Sequence, residues 1–209
     1  MTNAEMNARV RSLLDELKVG FYDNNKDIYP ALDNGQKQYA SIILAQFKAR
    51  QILDPSIEIP QTLYPLYATV TNNLSSGLSY FPLPEDYADD IGLKITADSV
   101  DYVLYKRPIS KAIFHKQVNT YLNEANSYYN IDTANVNIEF YGIIPTLTYY
   151  TFGYLKKVTD LTSSVEPILP NFTHPAICIY AVSELLVKKR FHREAQLAYQ
   201  QFLTMVQYQ

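Results

Sequence analysis

Apolar residues near the start of the chain recur every three or four positions, the spacing of one helical face. Thr2 and Glu5 form a capping-box pattern, so a first helix is expected to begin at Thr2 and to end by Gly20. A second helix is expected from Asp33 to Asp54, where a following proline stops it. Residues 1–54 therefore predict an antiparallel helical pair. The stripe of the first helix consists of Met6, Val10, Leu13, Leu14 and Leu17.

Residues 55–160 change to a period of two, which is typical of strands. Apolar Leu66, Ala68 and Val70 alternate with tyrosine and threonine, and "IGLKI" and "DYVLYK" predict two further short strands. A short helix is expected after Ser110. The segments "VNIEFYGII" and "LTYYTFGYLKKV" flank Pro145 and predict a hairpin. One face of that hairpin would carry Val136, Ile138 and Phe140.

Residues 173–208 contain no proline or glycine after Pro175, which predicts one long helix of about 50 Å. Its first half, "AICIYAVSELLV", is apolar nearly all round and must be covered on several sides. The fold class predicted is α+β in a single domain of 209 residues. Two N-terminal helices and the long C-terminal helix form an antiparallel helical core, and the antiparallel β-rich region at 55–160 is inserted into it.

Composition narrows the classes of function. A hydrophobic content of 47% with 19% charged residues argues against a disordered chain. No apolar run approaches the ~20 residues of a membrane span, and the N-terminus lacks the apolar segment of a signal peptide, so no membrane partner is expected. A net charge of −3 gives no overall basic footprint for nucleic acid. The chain has 19 tyrosines and no tryptophan, and tyrosine-rich strands suit interfaces.

Few residues suggest chemistry. Cys178 is the only cysteine and is expected to be a small buried apolar group. The three histidines, His115, His174 and His192, are expected to cap, pack or lie on the surface. Glu184 lies eight residues before His192, on roughly the same helical face, but two residues do not make a metal site. No cofactor, metal or catalytic residue is predicted.

The segment "FPLPEDYADDIGLKI" at 81–95 crowds carboxylates into one short stretch. A two-metal site needs carboxylates brought together from separate elements. Two prolines impose an extended backbone before the cluster, and Asp86 can cap a turn with its side chain before the next strand begins. The cluster is therefore interpreted as a structural turn. Its members are Glu85, Asp86, Asp89 and Asp90.

Several motifs in order resemble a known family. "LPEDY" precedes an apolar strand, "YKRPISKAIF" follows it, "GYLKKV" ends the hairpin, and "P-x-F-x-HPAICIYAVSELLVKKR" opens the last helix. This arrangement resembles the head-to-tail connector proteins of tailed bacteriophages, also called adaptor or head-completion proteins. The resemblance runs from about residue 30 to residue 209 and rests on order and spacing. The β-rich middle is longer than in the compact helical members.

The resemblance implies a structural virion protein without enzymatic activity. Such proteins form a ring, roughly twelvefold to match the portal, at the head–tail interface. They assemble in the bacterial host cytoplasm. The expected partners are other copies of the chain, the portal protein and downstream tail or ring proteins. Genomic DNA would pass through the lumen without sequence-specific binding. The C-terminal helix is the candidate segment for docking on the portal.

Charge suggests where contacts form. Residues 80–105 contain six acids and one lysine, a formal charge of −5, whereas residues 173–209 contain four bases and two acids, a formal +2. A heterologous ring contact needs two complementary patches on each copy, so the acidic turn is hypothesised to face a basic mid-helix on a neighbour or on the portal. The alternative is that both are ordinary solvated faces. The candidate interface residues are Lys188, Lys189, Arg190, Arg193, Phe191 and Phe202 on the helix, with Glu85, Asp86, Asp89 and Asp90 in the acidic turn.

Two other classes of function stay open. One is a more distal tail component, such as a tail-tube, stopper or receptor- and glycan-binding module, although glycan sites usually also use tryptophan. The other is a small enzyme with a carboxylate site at Asp86 and Asp90. The basic cluster could also touch DNA phosphates, but an acidic chain argues against tight binding.

Overall fold

The chain has an α+β fold in which an antiparallel β-region is inserted into a helical core. The structure is a computed structural model and describes residues 1–14, 21–54, 56–74, 80–97, 99–106, 128–132, 134–141 and 148–207. It divides into a helical unit, Met1–Leu66 with Val158–Gln209, and a sheet unit, Tyr67–Lys157. Residues 57–66, which the sequence placed in the β-rich insertion, lie in the helical unit, where Gln61–Leu66 form a 3-10 helix. The helix predicted after Ser110 lies outside the described residues.

The first helix, α1, spans Asn3–Leu13 and is capped as predicted. The Glu5 backbone N–H donates to Thr2 Oγ1 at 3.3 Å, and the Thr2 N–H donates to Glu5 Oε2 at 2.8 Å. Met6 and Val10 of the predicted stripe are fully buried, whereas Leu13 is 44% exposed; Leu17 lies outside the described residues. Leu14 is the C-cap of the helix. The helix therefore ends earlier than the predicted Gly20, which itself lies outside the described residues.

The second helix, α2, spans Tyr29–Leu53 and starts four residues before the predicted Asp33. A π-helical turn at Asn24–Ile28 leads into it, with Asp23 as its N-cap. Asp33 is not the N-cap, because it lies in the second turn of a helix whose N-cap is Ile28; its carboxylate instead accepts hydrogen bonds from the Leu161 N–H at 2.8 Å and from Lys37 Nζ at 2.6 Å. The end of the helix at Asp54 is confirmed.

The predicted long C-terminal helix is two helices, α3 at His174–Lys188 and α4 at His192–Gln207. Arg190 adopts a left-handed φ of 66° between them. The Phe191 N–H donates to Leu186 O at 3.0 Å and the Arg190 N–H to Val187 O at 2.9 Å, the two bonds of a Schellman motif. These bonds end α3 without a glycine or proline, so the sequence carried no stop signal.

The apolar α3 is the centre of the helical unit. It packs against α1, α2 and α4, so its own unit covers it on several sides. Gly35 allows the close approach of α2, because a Cβ there would lie 3.0 Å from Ile177 O. The two predicted N-terminal helices, α1 and α2, both pack against α3, which links them. The largest buried side chains of this core include Met6, Ile28, Leu32, Tyr39, Phe47 and Phe202.

The sheet unit contains seven strands in the order β1-β7-β3-β4-β5-β6-β2. They are β1 Tyr67–Leu74, β2 Tyr80–Pro82, β3 Tyr87–Ala97, β4 Val100–Lys106, β5 Tyr128–Asp132, β6 Asn137–Tyr141 and β7 Thr148–Lys156. The two strands predicted from "IGLKI" and "DYVLYK" are confirmed as β3 and β4, which form an antiparallel hairpin. β4 and β5 pair in parallel, and the remaining pairs are antiparallel.

The hairpin predicted between 136–144 and 147–158 is wrong. β6 pairs with β5 and β2, whereas β7 lies between β1 and β3. One face of β7 is buried along its length at Tyr150, Phe152 and Tyr154. The long strands β1 and β3 accept and donate the backbone hydrogen bonds along its two edges. Of the predicted inner face, Ile138 is buried, whereas Val136 is 56% exposed in the preceding turn with a φ of 54°.

The core of the sheet unit forms where the sheet folds over on itself. Phe81 of β2 stacks on Tyr150 of β7 with ring centroids 3.7 Å apart, although the two strands are far apart in the strand order. The alternation predicted in β1 is confirmed, because Ala68 and Val70 pack against this core. The buried cluster comprises Phe81, Leu83, Leu93, Ile95, Leu104, Tyr129, Ile138, Tyr150, Phe152 and Tyr154.

Candidate interaction surface

The turn that joins α3 to α4, together with the helix ends on either side of it (residues 188–193), forms an exposed basic surface, here called the basic turn. The Schellman motif reverses the chain within three residues, so neighbouring side chains project from one end of the helical hairpin. Phe191 is 51% exposed among the cations. The exposed basic residues are Lys188, Lys189, Arg190 and Arg193.

The two lysines of the basic turn contact the segment before α2. Lys188 Nζ lies 3.4 Å from Asp27 Oδ1, and Lys189 Nζ lies 4.2 Å above the ring of Phe21. The pKa of Asp27 is lowered, first by the Asp23 backbone hydrogen bond and then by Lys188. These exposed contacts contribute little stability and place the two lysines beside Asp27 and Phe21. Phe21 is 61% exposed, so aromatic rings accompany the two arginines of this surface, and both residue types are enriched at protein interfaces, whereas lysine is not.

Phe202 does not belong to this surface. It is fully buried and packs against Tyr180 and Tyr39, with ring centroids 5.1 and 6.3 Å away. The amphipathic pattern of α4 correctly marked Phe202 as apolar, but its partner is the helical core. A neighbouring protein could reach Phe202 only if α4 moved away.

The acidic segment at Glu85–Asp90 is a structural turn at its start. Glu85 and Asp86 form the exposed turn between β2 and β3. The Lys157 N–H donates to Asp86 O at 2.7 Å, and Tyr154 Oη donates to Asp86 Oδ1 at 2.9 Å. Burial and then the Asp86 carboxylate raise the pKa of Tyr154. These two hydrogen bonds hold the turn against β7 and the residue that follows it, which agrees with the interpretation of the turn as a structural element.

Asp90 differs from the rest of the acidic segment because it is buried inside the sheet unit. Its carboxylate accepts hydrogen bonds from Lys106 Nζ, from Tyr129 Oη at 2.6 Å and from Tyr87 Oη at 3.4 Å. Burial and then the Asp90 charge raise the pKa of both tyrosines. Asp90 cannot form a surface patch, whereas Asp89 remains partly exposed. This buried ionic cluster joins three strands and was not predicted, because its members lie far apart in sequence.

The remaining candidate residues give no metal site. Among the described residues, no three His, Cys, Asp or Glu side chains lie close enough to hold a metal ion. His174 is buried with Nε2 2.8 Å from Leu169 O, and burial lowers its pKa. Cys178 is fully buried, as expected, and burial raises the pKa of its thiol to about 12. His115 lies outside the described residues. No helix in the described ranges is long and apolar enough to cross a membrane.

The described residues of the helical unit line concavities at both of its ends. The first, about 540 Å³, lies beside the end of α2 and has Phe47, Arg50, Phe172 and Gln207 among its lining residues. The second, about 330 Å³, lies between α3 and α4 and has Glu184 and His192 in its lining. Sequence spacing placed Glu184 and His192 on one face of a continuous helix, whereas the helical hairpin brings both to one pocket.

Comparison with known proteins adds no assignment. No protein-family model matches the chain, and no curated protein matches it significantly.

Proposed function

We propose that the chain is a structural virion protein of a tailed bacteriophage, forming a ring between the portal and the tail. The ring would extend the DNA channel and provide the platform for tail attachment. The motif order from "LPEDY" to "HPAICIYAVSELLVKKR" supports this proposal. The observation that carries it in the structure is the basic turn, an exposed surface of cations and aromatic rings at one end of the helical unit.

The charge of the basic turn favours an acidic protein partner. Complementary charges steer association and fix orientation, and a heterologous contact needs two different patches on each copy. The exposed Glu85 and Asp86 of the sheet unit offer one such patch on a neighbouring copy, and an acidic surface of the portal offers another. DNA is the less favoured partner, because the net charge of −3 opposes tight binding. Weak contacts would suit a channel through which DNA slides.

The test is co-sedimentation of the purified protein with the portal from the same genome, followed by imaging of the pelleted particles. The proposal predicts an added ring at one end of the portal. The double variant Arg190→Glu, Arg193→Glu should weaken binding about tenfold or more at low salt and less at high salt. Arg9→Glu, at an exposed arginine on α1, is the charge-reversal control for each of the single variants Arg190→Glu and Arg193→Glu.

The outcomes separate the classes of function. Equal binding of the double variant and the Arg9 control would contradict the role of the basic turn. Absence of a ring on an intact portal would contradict the connector assignment and favour a more distal tail component. Binding to a glycan array would then identify a receptor-binding module.

A further inference from the structure

The pocket between α3 and α4 has the chemistry of a binding site. Tyr180 and Val187 of α3 and Ala195 and Tyr199 of α4 supply largely apolar walls around a volume of about 330 Å³. Val187 is 51% exposed and Tyr199 is 37% exposed, so these walls are open to a partner. The carboxylate of Glu184 lies among these apolar walls and is the charged group of the pocket lining that can bind a donor.

Glu184 has an unused acceptor. Its Oε1 accepts a hydrogen bond from Asn34 Nδ2 at 2.9 Å, but its Oε2 is buried and has no hydrogen-bond partner within the described residues. A buried carboxylate oxygen without a donor costs free energy, and a donor entering the pocket would pair it once the Glu184 side chain, which lines the pocket, rotates to expose this oxygen. The charge reaches the pocket wall, because it raises the pKa of Tyr180 after the larger effect of burial.

A carboxylate beside aromatic and aliphatic walls suits one kind of ligand group. The guanidinium of an arginine can donate to the carboxylate and lie against a tyrosine ring, while its methylene stem covers apolar surface. The pocket therefore favours an arginine side chain accompanied by apolar neighbours.

The last turn of α2 presents such a group. Arg50 is exposed there, and the adjacent Ile52 and Leu53 are 82% and 86% exposed. The last turn of α2 therefore offers apolar area directly beside a cation. Arg50 and Leu53 are three residues apart and share a helical face, as do Glu184 and Val187 of the pocket.

Arg50 cannot reach the pocket of its own chain. Asn34, which bonds to Glu184, lies sixteen residues before Arg50 in α2, about 24 Å along the helix. Arg50 instead borders a groove with Phe172, just before α3, and Gln207, at the end of α4. The last turn of α2 and the α3–α4 pocket therefore lie at opposite ends of the helical unit.

We infer that the last turn of α2 in one copy docks into the α3–α4 pocket of the next copy, with Arg50 on Glu184 and Leu53 on Val187. Because the two surfaces differ and occupy opposite ends of one unit, the contact is heterologous and repeats from copy to copy. This inference rests on the proposed function in two respects: the partner is taken to be a second copy of the chain, and the repeated contact is taken to close into a ring.

The experiment uses cysteine pairs in the full chain, with the buried Cys178 left in place. Leu53→Cys and Val187→Cys replace exposed residues and should not disturb folding. A chain carrying both cysteines should give a disulfide-linked ladder of multimers under mild oxidation, both on the portal and in the concentrated free protein. A tagged Leu53→Cys chain mixed with an untagged Val187→Cys chain should give a mixed dimer. Each single variant alone should stay monomeric.

A charge exchange tests the ionic pair. Arg50→Glu and Glu184→Arg should each reduce ladder yield about tenfold, and the double variant should restore it, because it reverses the pair. Circular dichroism checks that each variant is folded. Loss without recovery in the folded double variant would overturn the Arg50–Glu184 contact.

The outcomes distinguish this inference from the proposed function. A ring on the portal without a ladder would overturn the contact and leave the connector assignment intact. A ladder in the concentrated protein without any ring would support the contact and contradict the connector assignment. Dimers from Leu53→Cys alone would indicate a two-fold contact and overturn the inference, as would the absence of a ladder from both samples.

Discussion

Replacing Asp90 by alanine should destabilise the sheet unit far more than replacing it by asparagine. Asp90 is buried on β3 and accepts hydrogen bonds from Lys106 of β4, Tyr129 of β5 and Tyr87 of its own strand. An asparagine at this position would keep the size and one acceptor oxygen of the wild-type side chain, whereas an alanine would leave a small cavity and remove every acceptor.

The magnitude follows from the exposure of each partner. Tyr129 is 2% exposed, so losing its acceptor leaves a buried hydroxyl unsatisfied, at a cost of about 1–3 kcal/mol. The Lys106 side chain is 45% exposed and can turn to water, so the lost ion pair adds only about 0–1 kcal/mol. With the cavity included, Asp90→Ala should cost about 2–4 kcal/mol and Asp90→Asn about 1 kcal/mol.

Hydrogen exchange by mass spectrometry in increasing urea measures this cost, because peptides from β3 and β4 report the sheet unit. Labelling of Cys178 in the same samples reports the helical unit separately. The Tyr129→Phe variant is the matched control and should cost about 1 kcal/mol, since it removes the hydroxyl together with its need for an acceptor. Equal exchange rates for Asp90→Ala and wild type would refute the structural role of the cluster.

Three further predictions concern the helical unit. Arg190→Gly should raise the free energy of unfolding of the helical unit by about 1 kcal/mol, because glycine tolerates the left-handed φ of 66° at this position. The control Arg190→Ala should give no gain, and urea unfolding measures both variants. Burial raises the pKa of Tyr39 to about 12, so the buried neutral phenol stabilises the fold fully below pH 10 and progressively less as the pH rises from 10 towards 12. Tyr39→Phe removes this titration and should shift alkaline unfolding, followed by circular dichroism, to higher pH. Cys178, fully buried with its pKa raised to about 12, should react with thiol reagents only at the rate of helix opening; rapid labelling in native buffer would contradict its place in the core.

Local patterns predicted the elements whose signals lie close together in sequence. The capping box at Thr2 and Glu5, the end of α2 at Asp54 and the alternation in β1 depend on neighbouring residues, and all three are present. The apolar character of α3 likewise predicted that it would be covered on several sides. The α+β class with an inserted sheet follows from the change of period from 3.6 to 2 along the chain.

Features fixed by distant contacts were not predicted. Strand order depends on which neighbours bury β7, so adjacency in sequence wrongly paired it with β6. The Asp90 cluster joins strands whose members are up to 39 residues apart. A run of four acids therefore contains residues with different roles, because strand alternation turns Asp90 into the core and leaves Asp89 partly exposed.

The turn at Arg190 is the feature on which both proposed contacts depend. In one continuous helix, successive side chains point about 100° apart, so the four cations would spread around the helix rather than project from one end. Glu184 and His192 would lie about 12 Å apart along such a helix, with no second helix to form a pocket wall. Reversal of the chain supplies Ala195 and Tyr199 as that wall and places the basic turn beside it. If the turn were straightened into one continuous helix, the pocket would therefore be lost and the four cations would no longer form one surface, even with the same side chains present.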